Sequence, residues 1–290
     1  MDPTAQAFLT SWNWRPEVIL IVAILATAYT TGWWRLRKQG ARVARKAQLA
    51  LYLAGLAMIC LALLSPIDTF GSLLFFMHMI QHKLLTMLAP PLLLLADPLP
   101  VILWGLPRRA RREVGRLLTR HAPVRRGLRA LTLMPVAWLL FVVNLWVWHL
   151  PAAYEATLRN DLIHDLEHFT FFLTALFFWW PITNPAPRVH GHIPYGFRII
   201  YVVAAAFQTV ALGFLIAVTN RVLYPYYAAT PRLWGLGPLY DQALGGGVMS
   251  EGGMIHGVTV LVLVARMLDH EERVMRQREA RPFTRRSAAH

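Results

Sequence analysis

Phe76-Met77-His78-Met79-Ile80-Gln81-His82-Lys83 stands inside a mostly apolar run over residues 70–96. That run is longer than the roughly 20 apolar residues a helix needs to cross the hydrocarbon core of a bilayer. His78 and His82 are four positions apart, so on a helix both imidazoles share one face, about a turn from each other. Imidazole is costly to place at membrane depth, and such a pair marks a functional position.

Segments of comparable length lie on either side, so that the candidate spans run over about 18–34, 47–65, 70–96, 133–150, 162–181, 197–218 and 239–267. With 56% hydrophobic and only 15% charged residues, and a mean hydropathy of +0.43, the chain departs from ordinary soluble composition. The reading is all-α: a polytopic seven-transmembrane-helix bundle forming a single integral membrane domain over 1–290. Pro90-Pro91 predicts a kink or an early end in the third span. Gly245, Gly246, Gly247, Gly252 and Gly253 weaken the seventh as an isolated helix, but small residues allow close helix packing within a bundle.

The formal net charge of +14 is gathered into arginine clusters between apolar runs. Such clusters suit an anionic membrane surface, and nucleic acid is not an expected partner. The first loop holds Arg35, Arg37, Lys38, Arg42, Arg45 and Lys46. The third holds Arg108, Arg109, Arg111, Arg112, Arg116, Arg120, Arg125, Arg126 and Arg129, and the tail over 268–290 is also basic. The N-terminus and the second, fourth and sixth loops are poor in basic residues. This alternation predicts an N-terminus outside and a C-terminus in the cytoplasm. Val114, Leu117 and Leu118 recur at helical spacing among the arginines, as in a helix lying on the cytoplasmic leaflet or in a solvated basic loop. No basic residue precedes the first apolar run before Arg15, so that run reads as a retained span rather than a cleaved signal. Cys60 is the only cysteine, which excludes an internal disulfide and any Cys-x-x-Cys motif.

With that topology, the third span descends from outside and carries His78 about 12 Å below its start, with His82 about 6 Å deeper, at 1.5 Å per residue. His149 closes the fourth span at the outer interface. Asp161, His164 and His168 share a face at the start of the fifth span, and Met249 and His256 share one on the seventh. These histidines all fall in the outer half or near the middle. Two His-x-x-x-His pairs offer imidazoles to one ion, with Asp161 or Asp165 as acceptors that would orient a ring. Imidazole with thioether suits copper, while imidazole alone also suits zinc, iron or haem. Met79 and Met249 lie within reach of a histidine face; the other methionines and Cys60 read as packing. Glu251 is expected to point away from Met249 and His256, Gln208 to bridge helices, and His190 and His192 to sit in a solvated loop.

Several stretches, in order, resemble the multi-span cytochrome c oxidase assembly factors called CtaG, a family distinct from the single-span copper chaperone of the same name. They are His78-Met79-Ile80-Gln81-His82 with Ala89-Pro90-Pro91-Leu92 and Asp97-Pro98; Trp148-His149-Leu150-Pro151 with Tyr154; His164-Asp165-Leu166-Glu167-His168 with Phe178-Trp179-Trp180-Pro181; and Asp241-Gln242-Ala243-Leu244-Gly245-Gly246 with Met249. The resemblance implies a non-enzymatic factor of the bacterial plasma membrane that matures a haem-copper oxidase. It implies oxidase subunits as partners beside the lipid bilayer, and an extracytoplasmic copper donor. Carried over, the family's motif histidines fall on His78, His82, His149, His164 and His168, with Met249 beside them; His256 lies outside the motifs. The expected site therefore takes copper from the outer side between spans three and five, with His149 at its mouth. The alternatives are a b-type haem held by one histidine of each pair, and a metal-free assembly scaffold.

Overall fold

A computed structural model describes residues 6, 10–41, 44–119 and 121–286, with side chains described as far as Gln277. Arg42, Arg120 and the tail side chains beyond Gln277 therefore lie outside the described residues. The described chain is helical and contains no strand. Four helices are long and apolar enough to cross a membrane, or up to six spans if each of two bent pairs is one crossing. The four are α1 (Pro16–Lys38), α2 (Lys46–Leu63), a later helix Tyr195–Val218, and the stretch Pro238–Gln277.

The residues read as one third span are in fact several pieces. Ser65 caps α3 (Pro66–Gly71) by accepting from the Ile67 amide at 3.2 Å. Leu74 is extended, and α4 (Phe75–Lys83) starts after it. A π-helical turn, Leu84–Leu88, then leads into α5 (Ala89–Leu95). Proline explains this break. Pro90 has no N–H to give the Thr86 carbonyl one turn back, and that carbonyl instead accepts the Trp179 indole N–H at 2.9 Å. Asp97, in left-handed backbone, precedes α6 (Pro98–Gly105), which bends away by 68°.

The arginine-rich loop folds as α7 (Arg108–Leu117) and α8 (Pro123–Leu131), followed at 67° by α9 (Met134–Trp148). These residues are therefore helical, with no side chain of either helix buried. Next come α10 (Pro151–Arg159) and α11 (Asp161–Thr183). Asn160 caps α11 by accepting from the Leu162 and Ile163 amides at 2.9 and 3.2 Å. The polar residues crowded into its first two turns (Asp161, His164, Asp165, Glu167 and His168) account for α11 falling outside the most apolar helices. The chain closes with α12 (Tyr195–Val218), α13 (Pro225–Ala229), α14 (Pro238–Ser250) and α15 (Gly252–Arg286).

Aromatic packing joins α9, α11 and α12: Phe141 stacks on Phe178 at 4.6 Å, and Phe178 on Tyr201 at 4.8 Å. Outward, Ile21, Leu162, Phe207 and Leu261 are exposed apolar side chains, as expected where the solvent is hydrocarbon. α14 sets the position of α4. Gly246 lies so close to α12 that a side chain there would strike the Gly213 carbonyl, and one at Gly245 would strike the Phe75 ring. The Asp241 carboxylate then accepts from the Phe75 and Phe76 amides at 2.8 and 3.0 Å. This places an anion at the amino end of α4, where unpaired N–H groups and the helix dipole favour it. Asp241→Ala is expected to lower stability by about 1 kcal/mol or somewhat more, read as an earlier thermal transition in detergent; an unchanged transition would count against the cap.

Candidate metal centre

The cap fixes α4 one turn before His78, and the periodicity of α4 and α11 brings their polar faces together. His78, His82, Glu167 and His168 each offer a donor atom, and those atoms all lie within 4.8 Å of one another. All four side chains are buried, His78 and Glu167 completely. His78 Nε2 is 3.4 Å from Glu167 Oε2, and His82 Nε2 is 3.6 Å from Glu167 Oε1. The rings of His78 and His82 are 4.4 Å apart, and those of His82 and His168 5.3 Å.

A hydrogen-bond chain orients His78. Tyr227 donates its hydroxyl hydrogen to the Gly71 carbonyl at 2.9 Å. It must therefore accept from Tyr154, whose hydroxyl is 3.0 Å away, and from His78 Nδ1 at 3.4 Å. A hydrogen on Nδ1 leaves the Nε2 lone pair facing the cluster, which is the tautomer a metal ligand requires. His78 Nε2, both ring nitrogens of His82 and His168, and both Glu167 oxygens are buried without a hydrogen-bond partner. Buried polar atoms are rarely left so, and an ionised carboxylate in such surroundings is costly unless a cation offsets it. Protonating all the imidazoles would crowd like charges about 4–5 Å apart, itself expensive at low dielectric. Three imidazoles and one carboxylate fit a single first-row divalent cation.

Between α4 and α11 the rings pack directly against one another. His78 is 5.1 Å from His164 and 5.6 Å from His168, ring to ring, and Phe171 packs 4.5 Å from the His82 ring. The cavity beside His82 holds only about 30 Å³.

Other expected residues are placed differently. His164 is half-buried, with its ring 4.1 Å from that of His168, but it is not among the four converging donors. Asp165 is held by Arg15, whose Nη2 is 2.7 Å from both carboxylate oxygens, and Asp161 is exposed. Neither serves as the expected acceptor for a ring: a guanidinium outbids a neutral imidazole as partner for a carboxylate. His149 is buried rather than at a mouth, because Tyr224, reaching in from the loop before α13, donates to its carbonyl at 3.0 Å. His256 is away from the cluster, its ring 6.0 Å from Trp179 and nearly parallel, with Nδ1 2.9 Å from the Gly252 carbonyl. Met79 and Met249 are buried and line the small cavity with His82 and His149. Glu251 is an exposed partner of Lys83 at 3.6 Å, and His190 meets the Thr132 hydroxyl at 2.8 Å.

Sequence reasoning passed over Glu167 and Tyr227. The signal for Glu167 was its cost: a carboxylate beside His168 in a membrane segment needs a compensating cation. Tyr227 sits in a short loop helix, where spacing carries no such signal.

The chain is 27% identical over 293 residues to an uncharacterized protein of Mycobacterium bovis, which covers 96% of this chain and 42% of the relative. An uncharacterized protein of Mycobacterium leprae is 25% identical over 281 residues, covering 94% and 42%. The chain thus spans about two-fifths of the length of these curated relatives. No solved structure matches it. The family of cytochrome c oxidase caa3 assembly factors (Caa3_CtaG) matches residues 27–269, and the chain belongs to that family.

Proposed function

We propose that this protein binds copper at His78, His82, Glu167 and His168 and delivers it to the copper centre of a haem-copper oxidase. The convergence of four buried donors from α4 and α11 is the observation that carries this reading. No chemical turnover is required of the protein, so its role is that of a metal chaperone rather than an enzyme. Glu167 supplies the charge that offsets a cation, Tyr227 and Tyr154 hold His78 in the ligating tautomer, and the apolar wall of Phe75 and Phe171 excludes water. Imidazole and carboxylate ligands exchange more readily than a closed thiolate cage, as transfer demands. The ion then passes laterally to an oxidase subunit in the same plasma membrane, after arriving from an extracytoplasmic donor.

The proposed topology counts seven crossings: the four long apolar helices, the two bent pairs, and α11. The arginines of α7 and α8 argue for a cytoplasmic position of that loop, which puts the amino ends of α4 and α11 on the outer side. Metal analysis of purified protein tests the site. The double variant His78→Ala, His82→Ala is expected to retain no more copper than a metal-stripped preparation, and an unaltered stoichiometry would remove these residues from the site.

A further inference from the structure

A further group of polar atoms in the interior adjoins His82, whose ring is 6.0 Å from that of His149. His149 is the carboxyl-terminal cap of α9, and its Nδ1 is 2.7 Å from the Leu145 carbonyl. A carbonyl has no hydrogen to give, so the hydrogen is on Nδ1 and Nε2 carries a lone pair. That lone pair faces the Met79 thioether, with Nε2 3.5 Å from Sδ. Sulfur in a thioether has no hydrogen either. The contact between Nε2 and Sδ is therefore one between two electron-pair donors, and only a proton or a cation between them relieves it. His149 and Met79 are buried, as is Met249, and all three line the cavity of about 30 Å³ together with His82. That volume is on the scale of one small occupant.

We infer that His149, Met79 and Met249 form a second station for a soft monovalent cation, distinct in chemistry from the cluster at Glu167. One imidazole and one or two thioethers, with no carboxylate, favour Cu⁺ or Ag⁺ over Zn²⁺ or Co²⁺. The Glu167 cluster, with three nitrogens and a charged oxygen, has the opposite preference. His82 belongs to both: its ring is 6.0 Å from that of His149 and 5.3 Å from that of His168. A rotation of the His82 imidazole can thus hand a Cu⁺ ion, its charge unchanged, from one station to the other without opening the bundle. Only this hand-over rests on the proposed function; the binding of a soft ion stands by itself.

Two redox-inert or stable probes separate the stations. Purified protein in detergent, labelled with ¹³C-methyl methionine, is titrated with Ag⁺ and, separately, with Co²⁺ followed by its visible absorption. Ag⁺ is expected to shift the Met79 and Met249 methyl signals. Met79→Leu, a swap that nearly conserves volume, is expected to weaken Ag⁺ binding at least about tenfold, as loss of even a supporting group does. Co²⁺ binding should be unchanged in that variant, which also shows that it is folded. Unmoved methyl signals, or Ag⁺ binding by Met79→Leu equal to the parent's, would overturn the inference. Ag⁺ shifts without any Co²⁺ binding would support the soft station while defeating the copper reading of the Glu167 cluster.

Discussion

Replacing Glu167 by glutamine is expected to abolish metal binding at the proposed centre while leaving the fold intact. Glutamine keeps the shape of the side chain and removes the only carboxylate among the converging donors. Unit charges 4 Å apart attract by about 4 kcal/mol at an effective dielectric near 20. The affinity for a divalent ion should accordingly fall by at least about a hundredfold. The metal-free variant should melt no earlier than the metal-free parent, because the amide can donate to a lone pair of His78 or His82, whose Nε2 atoms lie beside the carboxylate. Isothermal titration and thermal unfolding in detergent read the two effects separately. Retained affinity would show that the carboxylate is not a ligand. An early melt of the metal-free variant would show that Glu167 instead anchors protonated histidines.

Gly246→Leu is expected to be the most damaging single change away from the site. A side chain at this position meets the Gly213 carbonyl and the backbone of Ala217, and backbone cannot turn aside as a flexible side chain can. Overpacking typically costs about 1–3 kcal/mol, and collision with a rigid partner helix belongs at the upper end. The injury should reach the metal centre, because α14 carries the Asp241 cap of α4 and the Gly245 surface that seats Phe75. Loss of stability together with lowered metal content is the expected result. Gly247→Leu is the control: it is exposed, and nothing lies near its position, so it should stay within about 0.5 kcal/mol of the parent. Equal effects at the two glycines would defeat the close-packing argument.

Much of this was written openly in the chain. Apolar runs announce the helices, and the i, i+4 spacing of His78 with His82 and of His164 with His168 announces two polar faces. What spacing could not carry is which faces meet, since α4 and α11 are separated by six further α-helices in sequence. The third span illustrates a second gap. Pro90-Pro91 predicts a kink, but the break at Leu74 depends on Asp241, far along the chain, capping the new helix. His149 was expected at the outer interface because it ends α9, but Tyr224 from a distant loop and the rings of Tyr154 and Phe171 enclose it. Asp165 shares a helix with the histidines, and its true partner, Arg15, lies 150 positions away. Local patterns set the ingredients; long-range packing chose among them.

The non-local make-up of the cluster also orders events in time. As the chain enters the membrane from its amino end, α4 is in place before any residue of α11 has been made. His78 and His82 then have neither Glu167 nor the capping carboxylate of Asp241, which is synthesised later still. A nascent chain can offer an ion little more than two loosely held imidazoles. On the proposed function, full affinity would arise only after α14 has docked, so that holding metal would be a property of the finished molecule and a half-inserted one would draw no copper from its surroundings.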